Sequence, residues 1–400
     1  MTEITAIASS PRRIRQRNEL AVLRALYDLR RLSRADLARE LGLNRSTSGN
    51  IIANLLASGF VREVDDADSG VLAGRAGRPG ILLGLVPEAV CFLGIEIGVE
   101  HIGMVELDFA ARVTRSVYEP FDGPAASVGL SLARALQLAI GDMPRDRLGR
   151  CEGLGIATPS HMERNGIIRI APLLGWRNVD LAAMARELLP RSLPVLAEND
   201  ANAFAIGATY GRRLGRSGVT LLVNMETGVG GGILVDGKLF RGGHGLAGEI
   251  GYLRLGANPD TTTLQEQIGL ARLLRDFRGL AGRTGARLSD LLQDVREREP
   301  GAVAIAEDWA RGLACALTQT CRIIDADHIV LGGSVAGLYS LVSARVLAHL
   351  RAFQNDSFPL PIISVAEDNA FGAAFGAACM MHQRFLSLES DRFSEVAASE

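Results

Sequence analysis

The chain has 400 residues, of which 48% are hydrophobic and 22% are charged. This length predicts two or three domains, and the composition is typical of a folded protein. No apolar run reaches the roughly 18 residues that a membrane span needs, and no signal peptide follows the N-terminal arginines. The five cysteines are scattered without a CxxC pair, so we expect reduced core thiols in a cytoplasmic protein and no disulfide framework.

The charge is distributed unevenly along the chain. The net charge is −2, yet the first 80 residues hold 13 arginines against 9 acidic residues. A basic segment in front of an acidic body predicts that one end of the protein meets a polyanion such as DNA. A solvated helical face gives the same count, so charge alone leaves both interpretations open.

The basic segment has the pattern of a helix-turn-helix. Leucines recur every three residues in a first predicted helix, 15–30. A second helix, 34–41, ends at Gly42, because glycine readily adopts the left-handed turn that stops a helix. Asn44 can cap a third helix, 45–58, which in such a motif enters the major groove by its N-terminus.

Polar side chains at the start of the third helix are the groove-facing candidates. Arginine pairs with guanine and asparagine with adenine, while serine and threonine suit phosphates or either base. The candidates are Arg45, Ser46, Thr47, Ser48 and Asn50. Predicted strands at 61–64 and 81–85 flank a glycine-rich loop that carries Arg75 and Arg78. This loop is either a wing that reaches the minor groove or a flexible linker.

After Pro87 predicted strands alternate with predicted helices twice over. This order indicates a two-lobed α/β body with a cleft between the lobes. The predicted strands are 91–97, 102–107, 112–118, 153–157, 195–197, 219–223, 232–235, 329–331 and 362–365. The predicted helices are 125–140, one that starts at Asp200, 264–278, 303–324 and one that starts near Ala370.

Seven short motifs follow one another in a specific order along the body. They are Gly94–Gly98, Gly153–Pro159, Gly175–Trp176, Glu198–Ala203, Thr227–Gly232, Gly245–Gly251 and Leu331–Gly333. Each alone marks little more than a turn. As an ordered set behind a helix-turn-helix, they make the chain resemble the ROK family (repressor, open reading frame, kinase) over about residues 14–385. The transcriptional-regulator branch of that family carries an N-terminal winged helix, and its body has the actin-like, ribonuclease-H-like sugar-kinase fold.

The resemblance implies a sugar site. In the family the residues that match Glu198, Asn199 and Asp200 contact sugar hydroxyls, and the match of Asp200 is the kinase's general base. Glu249 matches a sugar-binding glutamate, and Gln265 stands near the place of another. The expected ligand-binding residues are therefore Glu198, Asn199, Asp200, Glu249, Tyr252 and Gln265. The simpler interpretation of the Asn-Asp pair is that it only caps a helix.

Departures from the family pattern argue against catalysis. Glu100 and Glu226 stand where the family's two phosphate loops have a threonine and a glycine, and carboxylates repel ATP phosphates unless a metal screens them. Alternatively, both side chains point to solvent. Tyr252 replaces a histidine of the family's zinc site, and residues 256–267 contain no cysteine, so no zinc is expected. The expectation is therefore an absence of cofactors, of ATP binding and of enzymatic activity.

Together these features predict a winged helix-turn-helix domain, residues 12–85, followed by a ROK effector-binding and oligomerisation domain, residues 88–390. The expected protein is a sugar-responsive repressor that binds operator DNA as a homodimer or homotetramer, away from membranes. Two rivals remain open. One is an ATP-dependent sugar kinase with an appended DNA-binding domain, and the other is a DNA-binding regulator whose cleft is a relic.

Overall fold

The computed structural model describes residues 11–64, 81–210, 217–255, 262–354, 358–366 and 372–387, with side chains from residue 15 onward. Three helices and three short strands come first, and two five-stranded sheets follow. The predicted fold class, a winged helix-turn-helix followed by a two-lobed α/β body, agrees with this arrangement. None of the helices within the described residues is both long and apolar enough to span a membrane.

The N-terminal unit is a winged helix. Its helices are α1 (Pro11–Leu29), α2 (Arg34–Glu40) and α3 (Arg45–Ala57), and its strands are β1 (Leu32–Ser33), β2 (Val61–Val64) and β3 (Leu82–Leu85). The strands form one antiparallel sheet in the order β1-β3-β2. The turn between α2 and α3 is built as the sequence predicts, because Gly42 has φ +61° and the Asn44 side chain accepts a hydrogen bond from the Thr47 amide at 2.8 Å.

The first lobe of the body is built on a mixed sheet in the order β11-β7-β4-β5-β6. Its strands are β4 (Cys91–Ile97), β5 (His101–Asp108), β6 (Val113–Pro120), β7 (Cys151–Thr158) and β11 (Val195–Asn199), and its helices are α4 (Val128–Ile140), α5 (Arg145–Gly149), α6 (Leu181–Leu188) and α7 (Asp200–Thr209). A small sheet lies beside it, with strands β8 (His161–Met162), β9 (Ile168–Ala171) and β10 (Trp176–Val179). The predicted meander is confirmed, since β4, β5 and β6 pair antiparallel in sequence order.

The second lobe has a sheet in the order β14-β13-β12-β15-β16. Its strands are β12 (Val219–Met225), β13 (Val229–Val235), β14 (Lys238–Leu239), β15 (His328–Gly332) and β16 (Ile362–Val365). Its helices are α8 (Leu264–Ile268), α9 (Leu270–Arg278), α10 (Leu288–Arg296), α11 (Pro300–Ile324) and α12 (Ala336–Phe353), and the last described helix, α13 (Gly372–Phe385), packs on the first lobe. Helices α8 to α12 and the second sheet enclose a core around the fully buried indole of Trp309.

The helix predictions for the body need correction in several places. The single helix predicted over 264–278 is two helices, because Gly269 has extended backbone angles (φ −71°, ψ 163°) that interrupt the helical turn. Helices α5, α6 and α10 and the 18-residue helix α12 were missed, although α12 packs extensively on α11. The last helix begins at Gly372, and its predicted start near Ala370 lies outside the described residues.

Candidate functional site

The recognition helix α3 presents part of the predicted DNA-contacting set. Arg45, Ser46 and Asn50 are exposed on its surface, and Thr47 is half-buried at its first turn. Arg45 and Asn50 are side chains that can pair with guanine and adenine. Arg75 and Arg78, the predicted wing contacts, lie outside the described residues.

Ser48 is wrongly predicted as a groove contact. The side chain is 3% exposed, and its hydroxyl has no hydrogen-bond partner. Ser48 lies four residues before Ile52 and seven before Leu55, so helical periodicity places it on the buried stripe of α3. The serine therefore faces the core of the winged helix and not the DNA.

At the carboxyl end of β11, Glu198 and Asn199 are held by protein partners. Asn199 caps α7, because its side chain accepts from the Asn202 amide at 3.0 Å, and its Nδ2 donates to the Ser160 carbonyl at 2.9 Å. The 3%-exposed Glu198 accepts from the Asn199 amide and Asn202 Nδ2 and forms an ion pair with Arg241. The capping interpretation is thus correct for Asn199, and Glu198 braces the loop that carries Arg241.

Asp200 and Glu249 are the acidic groups of the cleft whose pKa values burial raises most. Burial, with the charge of Glu96, raises the pKa of Asp200 to about 6. Burial, with the charge of Asp200, raises the pKa of Glu249 to about 7. The nearest basic group to Glu249 is His161, with its Nε2 3.6 Å from Oε2. Two carboxylates whose charged forms are poorly stabilised by the protein are ready acceptors for a ligand's hydroxyl groups.

The rim of this site combines aromatic and amide groups. Tyr252 is 46% exposed, and its ring meets that of His161 edge to face at 5.2 Å. Gln265, on α8, places its Oε1 beside Gly228 and Gly251. The six predicted ligand-binding residues thus lie on neighbouring segments of the two lobes, and their role in ligand binding stays a prediction. Sequence reasoning missed His161 and Arg241, although His161 lies only two residues after the end of the recognised Gly153–Pro159 motif.

Glu226 is exposed, as the alternative interpretation expects, but its carboxylate is held by hydrogen bonds. Glu226 follows β12, and both of its carboxylate oxygens accept hydrogen bonds from Ser334. The Ser334 amide donates to Oε1 at 2.6 Å, and the hydroxyl donates to Oε2 at 2.7 Å. Ser334 lies just before α12. A carboxylate of the protein itself is therefore bound at the start of α12, a position that would otherwise favour an external anion.

The first phosphate loop shows the same arrangement. Glu96, only 9% exposed, accepts a hydrogen bond from the Ala373 amide at the start of α13 at 3.0 Å and pairs with His101 at 3.1 Å. Glu100 lies on the adjoining turn, where its Oε1 accepts from the Thr227 hydroxyl at 3.4 Å. The two loops thus touch through Glu100 and Thr227, and Glu100, like Glu226, is exposed.

A winged helix joined to a two-lobed body, with a polar cleft between the lobes, defines a DNA-binding protein built on a sugar-kinase-type fold. Residues 92–384 match the family model described as the ROK family, and residues 15–70 match that of the MarR family. The chain belongs to the ROK family. The family and fold class predicted from the sequence are therefore confirmed.

Individual relatives include both regulators and kinases. A candidate xylose repressor of Caldicellulosiruptor sp. (strain Rt8B.4) is 27% identical over 363 residues, covering 85% of this chain and 89% of that protein. The crystal structure of a ROK family transcriptional regulator, a homologue of the E. coli MLC protein, superposes with a TM-score of 0.75 at 19% identity over 93% of this chain and 97% of that one.

A kinase of the family also shares the fold of the body. A ROK family glucokinase from Streptomyces griseus, solved with glucose and AMPPNP, superposes with a TM-score of 0.64 at 22% identity over 73% of this chain and 99% of that one. At 19% and 22% identity, the two structural likenesses show the fold and nothing finer.

Proposed function

We propose that the protein is a sugar-responsive transcriptional repressor. The winged helix supplies the DNA-binding surface, with Arg45 and Asn50 as base-reading side chains and Ser46 and Thr47 at the backbone. The cleft between the lobes supplies the effector site. The similarity to a candidate xylose repressor over most of both chains supports this assignment.

The effector is an uncharged monosaccharide. The observation that carries this proposal is the pair Asp200 and Glu249, two carboxylates whose pKa values are raised by burial and by neighbouring negative charge. Sugar hydroxyls donate to such oxygens, whereas a phosphate or acid group on the sugar meets further negative charge from Glu96 and Glu226. Asn199, Tyr252 and Gln265 line the same cleft, and Glu198 holds its wall through Arg241.

The cleft binds sugar without phosphorylating it. In this proposal Glu226 and Glu96 take up donors at the starts of α12 and α13 that would otherwise be open to an anion. A nucleotide would have to displace these carboxylates and tolerate their charge, so neither ATP nor another cofactor is required.

The assembly is a homodimer or homotetramer, because a symmetric operator pairs with a symmetric protein. Sugar binding shifts the population of the two lobes toward a closed form, and closure changes the spacing of the two α3 helices. Tight sugar binding that leaves operator affinity unchanged would contradict this mechanism.

The deciding experiment measures thermal unfolding against D-xylose, D-glucose, N-acetylglucosamine, their phosphates, and AMPPNP with magnesium. A ligand at 100 times its Kd adds about 2.7 kcal/mol to the free energy of unfolding. We expect stabilisation by at least one neutral sugar and by neither sugar phosphates nor AMPPNP. If no compound raises the unfolding temperature, a relic cleft is favoured. Stabilisation by AMPPNP would favour a nucleotide site.

A sugar kinase with an appended DNA-binding domain is the second candidate. One observation favours it: Asp200, with a pKa of about 6, suits a general base that accepts a hydroxyl proton near neutral pH. Sugar-dependent release of ADP from ATP, abolished in Asp200→Asn, would establish it. Absence of ADP release with a sugar that demonstrably binds would exclude it.

A further inference from the structure

Two helices of the body connect the effector cleft with the winged helix. α7 begins at Asp200 in the cleft and ends at Tyr210, its C-cap. α13 begins at Gly372, where Glu96 binds its Ala373 amide, and ends beyond His382 at Phe385. With a rise of about 1.5 Å per residue, these helices span about 15 and 21 Å. Each therefore has one end at the cleft and the other at the winged helix.

The two helices pack against each other at backbone distance. A Cβ atom on Gly376 would overlap the backbone of Ala203, and one on Gly207 would meet the Gly376 Cα at 3.0 Å. α13 also rests on Gly94 of β4 and Gly155 of β7, where added Cβ atoms would again overlap its backbone. Such close packing leaves no flexible side chains between the elements to absorb a displacement, so they move together.

At the far end, a chain of hydrogen bonds leads from the body into the winged helix. His382 is fully buried, and its Nε2 lies 3.0 Å from the Phe109 carbonyl, which can only accept, so Nε2 carries the proton. The other ring nitrogen, Nδ1, then accepts from the Tyr210 hydroxyl. Tyr210 in turn hydrogen-bonds with Tyr27 of α1. The order of donors and acceptors is thus fixed from Tyr210 through His382 to Phe109, the residue that follows β5.

The same three rings are in direct contact. The Tyr27 ring lies 4.8 Å from that of His382 and 5.8 Å from that of Tyr210. Phe60, at the end of the helix-turn-helix, stacks edge to face on Phe109 at 5.8 Å. The apolar cores of the winged helix and the first lobe form one continuous cluster through these contacts.

We propose that α7 and α13 form a strut that transmits the state of the cleft to the winged helix, and that Tyr210 and His382 are the positioning residues that deliver it to Tyr27. This inference rests on the proposed function only in treating the cleft as the effector site. A displacement at Asp200 or at the start of α13 reaches the hydrogen-bonded rings through two rigid helices. The position of α1, and with it α3, follows.

The test is amide hydrogen exchange on the full chain, which needs neither a sugar nor an operator, so it is independent of the thermal panel. Glu96→Gln keeps the shape of the cap on α13 but removes its charge. We expect about tenfold faster exchange in the first turns of α13 and about threefold faster exchange in α1. The matched control is Glu100→Gln, which removes the same charge from the same loop but binds Thr227 and not α13; it should leave α1 unchanged.

The Tyr210→Phe background distinguishes transmission from general destabilisation. Phenylalanine keeps the ring and removes only the hydroxyl that joins Tyr27 to His382. In this background Glu96→Gln should still loosen the start of α13, while α1 no longer responds. If Glu96→Gln does not fold, Asp200→Asn provides the perturbation at the start of α7.

Three results would overturn the proposal. One is an α13 that loosens without any response of α1. Another is an equal α1 response with and without the Tyr210 hydroxyl, which would mean that the signal bypasses these residues. The third is an equal α1 response to Glu100→Gln, which would make the net charge of the cleft, and not the helices, the cause.

Discussion

The cleft and the junction between α1 and α13 both contain polar groups, but these groups differ in how well the surrounding protein stabilises them. In the cleft, Asp200 and Glu249 have raised pKa values because burial and neighbouring acidic groups disfavour their charged forms. At the junction, both ring nitrogens of His382 are bonded, and burial lowers its pKa to about 4, so the ring is neutral. Strongly shifted pKa values are typical of ligand-binding sites, whereas buried polar groups with all their hydrogen bonds made are typical of structural contacts.

The junction should show the largest response to substitution. Phe385 is 4% exposed and packs on Phe92 and Phe109 at 5.5 Å each. Phe385→Ala should lower the free energy of unfolding by about 3–5 kcal/mol, because it loses apolar burial and leaves a cavity. Urea denaturation followed by circular dichroism measures this loss.

Phe240→Ala is the matched control for that experiment, since Phe240 is 51% exposed. It should change stability by less than about 0.5 kcal/mol. A similar effect of the two substitutions would mean that the junction is not a packed core, and the contrast with the cleft would collapse.

In the cleft the large effect should appear in binding and not in stability. Asp200→Asn keeps the size of the side chain but weakens it as a hydroxyl acceptor. The affinity for the stabilising sugar should fall about 10- to 100-fold, as expected for a hydrogen bond to a charged group. Isothermal titration calorimetry measures the change. Glu163→Gln, on an exposed acid of the same lobe, should leave the affinity unaltered.

The contrast between Phe385 and Asp200 also shows what sequence patterns can predict. The strand Val61–Val64, the start of α7 at Asp200 and the Gly42 turn follow from local periodicity and capping, and the structure has them as predicted. The motif order identified the family as well. Local patterns are informative here because each of these features depends on residues within a few positions of one another.

The junction could not be predicted in this way. The contact of Tyr27 with His382 joins residues 355 positions apart, and no short-range pattern encodes such a pairing. Ser48 illustrates a different failure, because a polar side chain on the buried stripe of α3 was interpreted by its chemistry and not by its helical phase. His161 and Arg241 enter the site only because the lobes bring separate loops together.

A change of pH should affect the cleft and the junction in opposite directions. The pKa of Glu249 rises from 4.5 to about 7 on folding. Between these values the folded protein holds a proton that the unfolded chain has lost, so stability falls as pH rises through this window. Glu249→Gln should therefore be more stable than the wild type above pH 7, by about 2 kcal/mol after allowance for partial exposure, and equal to it below pH 4.5.

Thermal unfolding of both proteins across this pH range measures the difference. A constant offset between them at every pH would mean that Glu249 acts through packing and not through its charge. His382→Gln is the matched junction variant. Burial lowers the pKa of His382 from 6.5 to about 4 on folding, so between these values only the unfolded chain holds the proton and wild-type stability falls as pH falls. The stability difference between His382→Gln and the wild type should therefore change with pH inside this window and be constant above about pH 7.5.

The smallest expected effect concerns Ser48, whose unpartnered hydroxyl is polar yet serves neither a ligand nor the packing. Ser48→Ala removes a buried donor without a partner, so stability should stay equal or rise by up to about 1 kcal/mol. Operator affinity, measured by fluorescence anisotropy, should not change, because the side chain faces the core. Asn50→Ala, two positions along the same helix on its exposed face, should lose about tenfold in affinity. A loss of affinity in Ser48→Ala without a loss of stability would return this residue to the DNA interface. It would also show that a buried polar group without a partner can mark a binding surface in the winged helix.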